Sequence, residues 1–271
     1  LNDILYSNYL AHLTWFSSEK YSIKKIERII SKYNKLHDLE EDNYMTDNFS
    51  DTFFSKHVCS KAGYIREDIE NLYKDNKINE REKAILVTSL IYALDKIANT
   101  CGHTDDFTMS IPEINDDISK NNKCYNMDSN KLVEKVKCDV AYLDPPYNSR
   151  QYSDAYHLLE NIAKWEKPKV SGVARKMDRT SLKSDYCTTK AVDAFEDLIN
   201  KLDCKYILLS YNNTGEKANG RSNAKISDED IMRILSKKGK VKVFSQSYKA
   251  FTTGKSVNND NEERIFFCKV Y

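Results

Sequence analysis

Asp144, Pro145, Pro146 and Tyr147 follow the hydrophobic run Val140-Ala141-Tyr142-Leu143 without a spacer, and two of the chain's four prolines stand there side by side. Tandem proline fixes φ and removes two N–H donors, so an extended strand must end and its last carbonyls face outward, rigid and without a ladder partner. A carboxylate beside such a carbonyl makes a pair of hydrogen-bond acceptors. Their natural counterpart is an exocyclic amine whose lone pair is delocalised into a ring. Acceptors on both of its N–H groups favour the nitrogen becoming nucleophilic as an electrophile arrives. Asp144 and the carbonyl of Pro145 are expected to be those acceptors, and Pro146 to complete the rigid turn. Tyr147 offers a ring on which a base swung out of a duplex can stack, offsetting part of an unstacking cost of roughly a few kcal/mol. The plainer reading is a strand that ends in a proline turn with a capping aspartate, but the strand set directly before the tetrapeptide favours the chemical one.

Positioning such a turn requires a sheet. Open α/β sheets bind ligands at the carboxyl ends of their strands. After Pro112, short β-rich runs alternate with amphipathic stretches: strand Cys138–Leu143, helix Ser153–Trp165, helix Ala191–Leu202, strand Tyr206–Tyr211, helix Ile226–Leu235 and strand Val241–Ser245. That alternation predicts a parallel, helix-covered sheet. The final run, Arg264–Val270, follows through a polar loop too short for a helix and is expected to return antiparallel, closing the sheet as its end strand. Before Pro112 the pattern is helical. Ile23, Ile26, Ile29, Ile30, Tyr33 and Leu36 recur at three- and four-residue steps, and a second stripe runs through Ile85, Leu86, Leu90, Ala93, Leu94 and Ile97 in a helix from about Glu80 to Thr100. Asp38–Phe54 is polar and read as loop, and Thr104–Lys123 as the seam between a helical block and the sheet.

Composition sets the outer bounds. A chain of 271 residues that is 40% hydrophobic can bury a substantial core. Its seven cysteines are odd in number and never form a CxxC pair, which fits reduced thiols rather than a disulfide or zinc framework. No apolar run reaches the ~20 residues a bilayer span needs and no signal-peptide order stands at the N-terminus, so a soluble, cytoplasmic protein is expected. A net charge of +1 neither favours nor excludes nucleic acid, so the distinction rests on local patches.

The string Asp144-Pro-Pro-Tyr-Asn-Ser-Arg-Gln-Tyr152 resembles the catalytic motif of amino-methyltransferases. Aspartate in first position is similar to the adenine-N6 enzymes, and the longer string resembles the Dam-like and FokI-methylase-like enzymes of restriction-modification systems. The resemblance covers most of the chain after Lys123 and a few residues at its start. It implies a Rossmann-like class I sheet with a mainly helical insertion, S-adenosylmethionine as methyl donor, no metal, duplex DNA as substrate with base flipping, and a cognate restriction endonuclease as partner. Within it, Asp144 also belongs to the cofactor site. Asp128, in Cys124-Tyr-Asn-Met-Asp128, matches the acid that holds the cofactor's adenine, although aspartate there is also an ordinary N-cap of a helix running to Val136. Asp3, in Leu1-Asn-Asp3-Ile4, matches the acid that accepts from the ribose hydroxyls. The family's Phe-x-Gly-x-Gly loop and first strand have no counterpart, because all seven glycines stand alone. With Leu1 rather than methionine at the start, the sequence reads as part of a longer reading frame: residues 1–16 a remnant of the cofactor region, 17–110 the helical target-recognition insertion, and 111–271 the catalytic domain.

DNA contacts are expected where cations gather. Between Lys164 and Lys190 eight basic residues face three acidic ones, an excess of five positive charges. Lys169, Arg175, Lys176, Arg179 and Lys183, with Arg150 from the motif string, are the expected phosphate contacts, which position a duplex without reading it. Tyr211 and Asn212, at the end of the Tyr206–Tyr211 strand, are expected to line the base pocket. Weaker candidates are Lys56, Lys61 and Arg66 near Tyr64, and the Phe251–Gly254 loop with Lys249 and Lys255. Cytosine-N4 or RNA methylation, or a non-catalytic DNA-binding fragment without the cofactor loop, are the competing readings.

Overall fold

The computed structural model describes residues 1–37, 39–98, 106–115, 121–212, 224–247 and 262–271. In chain order it holds helices α1 (Tyr6–Phe16), α2 (Ile23–Asn34), α3 (Tyr44–Phe49), α4 (Lys56–Lys74), α5 (Glu80–Ala98) and the short α6 (Ser129–Leu132). Strand β1 (Lys137–Leu143), α7 (Tyr152–Ala155) and α8 (His157–Lys164) follow, then α9 (Ala191–Lys201), β2 (Asp203–Ser210), α10 (Asp228–Lys238), β3 (Gly239–Ser247) and β4 (Glu262–Val270). Residues 1–126 with 156–179 form one compact unit, and residues 127–155 with 180–271 a second. These units are drawn differently from the 1–16, 17–110 and 111–271 division, because α1 and α8 both pack into the helical unit.

In the helical unit α2 buries Ile26, Ile29, Ile30 and Tyr33, as its spacing predicts, and Ser22 caps it by accepting the Lys25 N–H. Helix α5 is the central element: residues 81–91 are all buried, Arg81, Glu82 and Lys83 included. Such charges are tolerated only in pairs. Glu82 binds Lys25 at 2.7 Å, and Glu70 of α4 binds both Lys83 at 2.9 Å and Arg66 at 3.0 Å. Helix α3 forms inside the stretch read as loop. Its six residues are too few to show periodicity, but Asn43 and Thr46 make a capping box and Met45 and Phe49 are buried. Gly63 allows this arrangement, since a methyl group there would strike the Asn43 side chain, which donates to the Ser60 carbonyl at 2.9 Å.

Two of the basic residues offered as DNA contacts belong to this core. Arg66 is 0% exposed and donates to the carbonyls of Ile162 and Ala163 at 2.8 and 3.0 Å, completing the C-terminal turn of α8. Lys61 is buried on Asp106 at 2.6 Å and the Phe107 carbonyl at 3.0 Å. Neither can reach a duplex. Lys56 is exposed and paired with Asp42 at 2.9 Å.

The sheet unit has strand order β1-β2-β4-β3, with β1 and β2 parallel and β4 antiparallel to both of its neighbours. The last strand is antiparallel, as expected, but it lies between β2 and β3 rather than at the edge. Its outer side pairs with β3 from Gly239↔Val270 to Ser247↔Glu262, and its inner side pairs with β2 from Tyr206↔Lys269 to Ser210↔Ile265. The core combines Phe195, Leu198 and Ile199 of α9 and Ile231, Ile234 and Leu235 of α10 with Ile207, Leu209, Phe266 and Cys268 of the sheet. Val140 and Tyr142 of β1 are 51% and 61% exposed, so the hydrophobic run before Asp144 is only partly covered. Helix α6 stops at Leu132, short of Val136, and the Ser153–Trp165 helix is broken at Tyr156, where φ is −104° and ψ 21°. The seam Thr104–Lys123 is only partly within the described residues. The Phe251–Gly254 loop, with Lys249 and Lys255, lies outside them.

Candidate active site

Strands β1 and β2 run side by side to Leu143↔Leu209, so Asp144 and Tyr211 follow their strands at the same, carboxyl end. The tandem proline then turns the chain away, and Tyr147 settles against the sheet core. Asp144 is exposed at the residue level, yet the protein around it still removes enough water to raise its carboxyl above the usual carboxylate range. Burial is the single cause, with no cation among the described residues acting to restore the charged form. Pro145 and Pro146 are partly exposed.

Tyr211 reaches this turn from β2. Its hydroxyl donates to the Tyr147 carbonyl at 3.2 Å and accepts from the Ile226 N–H at 3.1 Å, while the Lys225 N–H donates to the same carbonyl at 2.8 Å. The two tyrosine rings meet edge to face at 6.5 Å. With Tyr211 only 2% exposed, its phenol is pushed up to about 12 by burial. Asn212 is also buried, and its carbonyl accepts from Arg264 at 3.0 Å. Arg264 in turn forms a two-pronged ion pair with Asp228 at the start of α10. Tyr211 therefore supports the Asp144–Tyr147 turn from behind, while Asn212 is held by Arg264. Arg264 carried no signal in the sequence beyond being one cation in a β-rich run.

Asp128 caps α6: its Oδ1 accepts from the N–H groups of Asn130 at 2.9 Å and Lys131 at 3.3 Å, and the residue is exposed. In the helical unit the Asp3 carboxylate accepts from the Leu5 N–H at 2.8 Å and from Asn8 at 2.9 Å. The chain beside it is pinned by a parallel bridge between Asn2 and Tyr125. Glu160, which no sequence motif marks, is 0% exposed and accepts the N–H groups of Tyr6 and Ser7, each at 2.9 Å. A buried carboxylate at the start of α1 answers both the unpaired amides and the helix dipole. An acid in the apolar stripe of an amphipathic helix was the available clue.

The basic stretch divides between the units at 179/180. In the helical unit, Ser171 and Lys176 exchange two backbone hydrogen bonds of 2.9 Å around a hairpin tip, with Gly172 at φ 73° and Val173 96% exposed. Lys169 and Arg175 are exposed, Lys176 and Arg179 half-buried, and Arg179 donates to the Met177 carbonyl. Lys167 is spent on Glu67 and the Trp165 ring. In the sheet unit, Arg150 and Lys183 are exposed. Gln151 joins their segments, its amide bonding both backbone groups of Ser184 at 2.8 and 3.0 Å. Among the described residues no group of three or more His, Cys, Asp or Glu side chains could hold a metal, and no helix is long and apolar enough to cross a membrane.

The chain is a mixed α/β protein with an Asp-Pro-Pro-Tyr turn at the carboxyl end of a parallel strand. Residues 1–217 match the D12 class N6 adenine-specific DNA methyltransferases, and the chain belongs to that family. It is 37% identical over 296 residues to the modification methylase StsI of Streptococcus sanguinis, covering 99% of this chain and 44% of that protein. It is 31% identical to the type II methyltransferase M.FokI of Planomicrobium okeanokoites, with coverages of 99% and 44%. To M.NlaIII of Neisseria lactamica it is 28% identical, with coverages of 98% and 81%. The chain thus spans less than half the length of StsI and M.FokI. No solved structure matches it significantly.

Proposed function

We propose that this protein transfers a methyl group from S-adenosylmethionine to N6 of adenine in duplex DNA, as the modifying arm of a restriction-modification system. The observation that carries the reading is the turn Asp144–Tyr147 at the carboxyl end of β1, its backbone held from behind by Tyr211 and Lys225. Asp144 and the Pro145 carbonyl accept the two amino hydrogens of the target adenine, and the Tyr147 ring stacks on the flipped base. Catalysis comes from positioning and from these fixed acceptors. Family membership and aspartate in first position favour adenine over cytosine.

S-adenosylmethionine supplies a methyl group already activated by its sulfonium charge. The acceptor set fits this cofactor in part. Asp128 is exposed, and its carboxylate has lone pairs beyond the two N–H groups it caps, which suits an adenine amino donor. Asp3 has both oxygens engaged locally but is partly exposed, so it can still accept from ribose hydroxyls. Residues for the methionine end, a paired-glycine loop, do not occur in these 271 residues. The sheet is read as the carboxyl-terminal part of a Rossmann-like class I methyltransferase sheet, with the reversed β4 slotted between parallel strands. Lys169, Arg175, Lys176, Arg179 and Lys183, with Arg150, are proposed phosphate contacts, and the cytoplasm is the proposed location.

Nucleoside analysis of duplex DNA incubated with the full-length protein and S-adenosylmethionine tests this reading. N6-methyladenine is the expected product. N4-methylcytosine, or methylation of RNA alone, would overturn it.

A further inference from the structure

Gln151 stands four residues beyond Tyr147 and is partly buried. Its Nε2 donates to the Ser184 carbonyl at 3.0 Å and its Oε1 accepts the Ser184 N–H at 2.8 Å. This two-point contact copies a backbone bridge and fixes both the spacing and the orientation of the two segments. A third bond joins them one residue away, where the Cys187 thiol donates to the Arg150 carbonyl at 3.4 Å. Burial pushes the Cys187 thiol up, which keeps it in the S–H form that donates. On the far side the Ser184 hydroxyl accepts the Tyr186 N–H at 3.2 Å and caps the turn Asp185–Cys187. The join is therefore braced at both ends.

The two residues this join carries outward are cations. Arg150 precedes Gln151 and Lys183 precedes Ser184, so each is a single chain step of about 3.8 Å from the bridge. Both are exposed, and neither makes an ion pair among the described residues. Some neighbouring cations are spent on acids, as Lys167 is on Glu67 and Lys201 on Glu134 and Asp197. A braced pair of unspent cations on the exit from the Asp144–Tyr147 turn has the chemistry of a phosphate contact that sets register without reading bases.

We propose that Gln151 is a positioning residue that holds Arg150 and Lys183 as a two-cation grip on the DNA backbone next to the catalytic turn. The proposal rests on the DNA methyltransferase reading above. The grip makes the affinity and placement of DNA, rather than cofactor binding, depend on an uncharged side chain.

The test uses the full-length protein and a fluorescent duplex, with binding measured by anisotropy across a salt series and with KM values for DNA and for S-adenosylmethionine. Arg150→Ala and Lys183→Ala should each flatten the slope of log affinity against log salt by about 0.9, one phosphate contact apiece. Gln151→Met keeps the length and loses the hydrogen bonds; it should flatten the slope by between about 1 and 2. It should also raise the DNA KM roughly tenfold, against a coupling of about 1.4 kcal/mol, and leave the cofactor KM unchanged. In the Gln151→Met background, Lys183→Ala should remove little more. A wild-type slope in Gln151→Met overturns the positioning role. A wild-type slope in both cation variants overturns the grip, and because these are surface changes that result holds even if Gln151→Met is unstable. A wild-type protein that neither binds nor methylates duplex DNA would instead refute the underlying reading, whatever the variants do.

Discussion

Replacing Tyr211 by phenylalanine removes one oxygen from behind the Asp144–Tyr147 turn and leaves a buried ring in place. The Tyr147 carbonyl keeps its bond from the Lys225 N–H at 2.8 Å, so that end of the loss is small. The Ile226 N–H loses its acceptor inside the protein, which costs about 1–3 kcal/mol. The lost hydroxyl is also titratable, raised from 10.0 to about 12 by burial. Since the folded value lies above the unfolded one, its stabilisation is complete below about pH 10 and drains away as pH climbs through 12. At pH 11 the two titrations differ by a factor of ten, which is about 1.4 kcal/mol. The variant lacks this titration, so a deficit of about 2 kcal/mol at pH 8 should shrink to under about 1 kcal/mol at pH 11. Trp15 and Trp165 both lie in the helical unit, so their fluorescence follows that unit. Urea unfolding by circular dichroism, compared with the tryptophan signal, isolates the sheet unit. A deficit that stays constant from pH 8 to 11, or no deficit at pH 8, would refute the assigned role of this hydroxyl.

Three further outcomes follow from the same geometry. Arg66→Ala should destabilise the helical unit by about 3–5 kcal/mol by stripping Glu70 of a partner and the end of α8 of its donor. Trp165, 5.4 Å from the guanidinium, reports the loss, and an unchanged melting temperature would contradict it. Glu160→Gln keeps one acceptor oxygen at the start of α1 but loses the charge, so a cost of about 1–2 kcal/mol is expected in urea titrations monitored at Trp15. Methyl transfer should fall as pH drops through the Asp144 titration, because the carboxylate must be ionised to accept. Burial raises that carboxyl, so the acid limb of kcat belongs above the ordinary value of 3.8; a limb at or below it would count against the assignment.

The legible parts of the sequence were those with a strong local period or a rigid motif. Helices α2 and α5 declared themselves by spacing, and β1 by its run into Asp144-Pro-Pro-Tyr147. Strand β2 begins at Asp203, three residues earlier than expected, because only Cys204 of its first three residues points inward. Helix α3 was lost to brevity, its cap outweighing a polar composition. The interior place of β4 depends on pairing with β2, whose paired residues lie 55 or more positions away in sequence, which no local pattern records. The strand-to-turn geometry at Asp144–Tyr147 was legible from its motif, while the side chains that support it were not. Tyr211, read as a pocket wall, also bonds the Tyr147 carbonyl, Arg66 and Lys61, read as DNA contacts, are spent inside the helical unit, and Gln151 and Glu160 act through backbone groups that leave no trace in composition.

The most direct test is transfer of labelled methyl from S-adenosylmethionine to duplex DNA by the full-length protein and its Asp144→Ala variant. Losing an acceptor fixed at the reacting amine should cost at least about 100- to 1000-fold in kcat, with duplex binding in the salt series preserved. An Asp144→Ala variant that methylates adenine within a few-fold of wild type would contradict the placement of the chemistry at the end of β1.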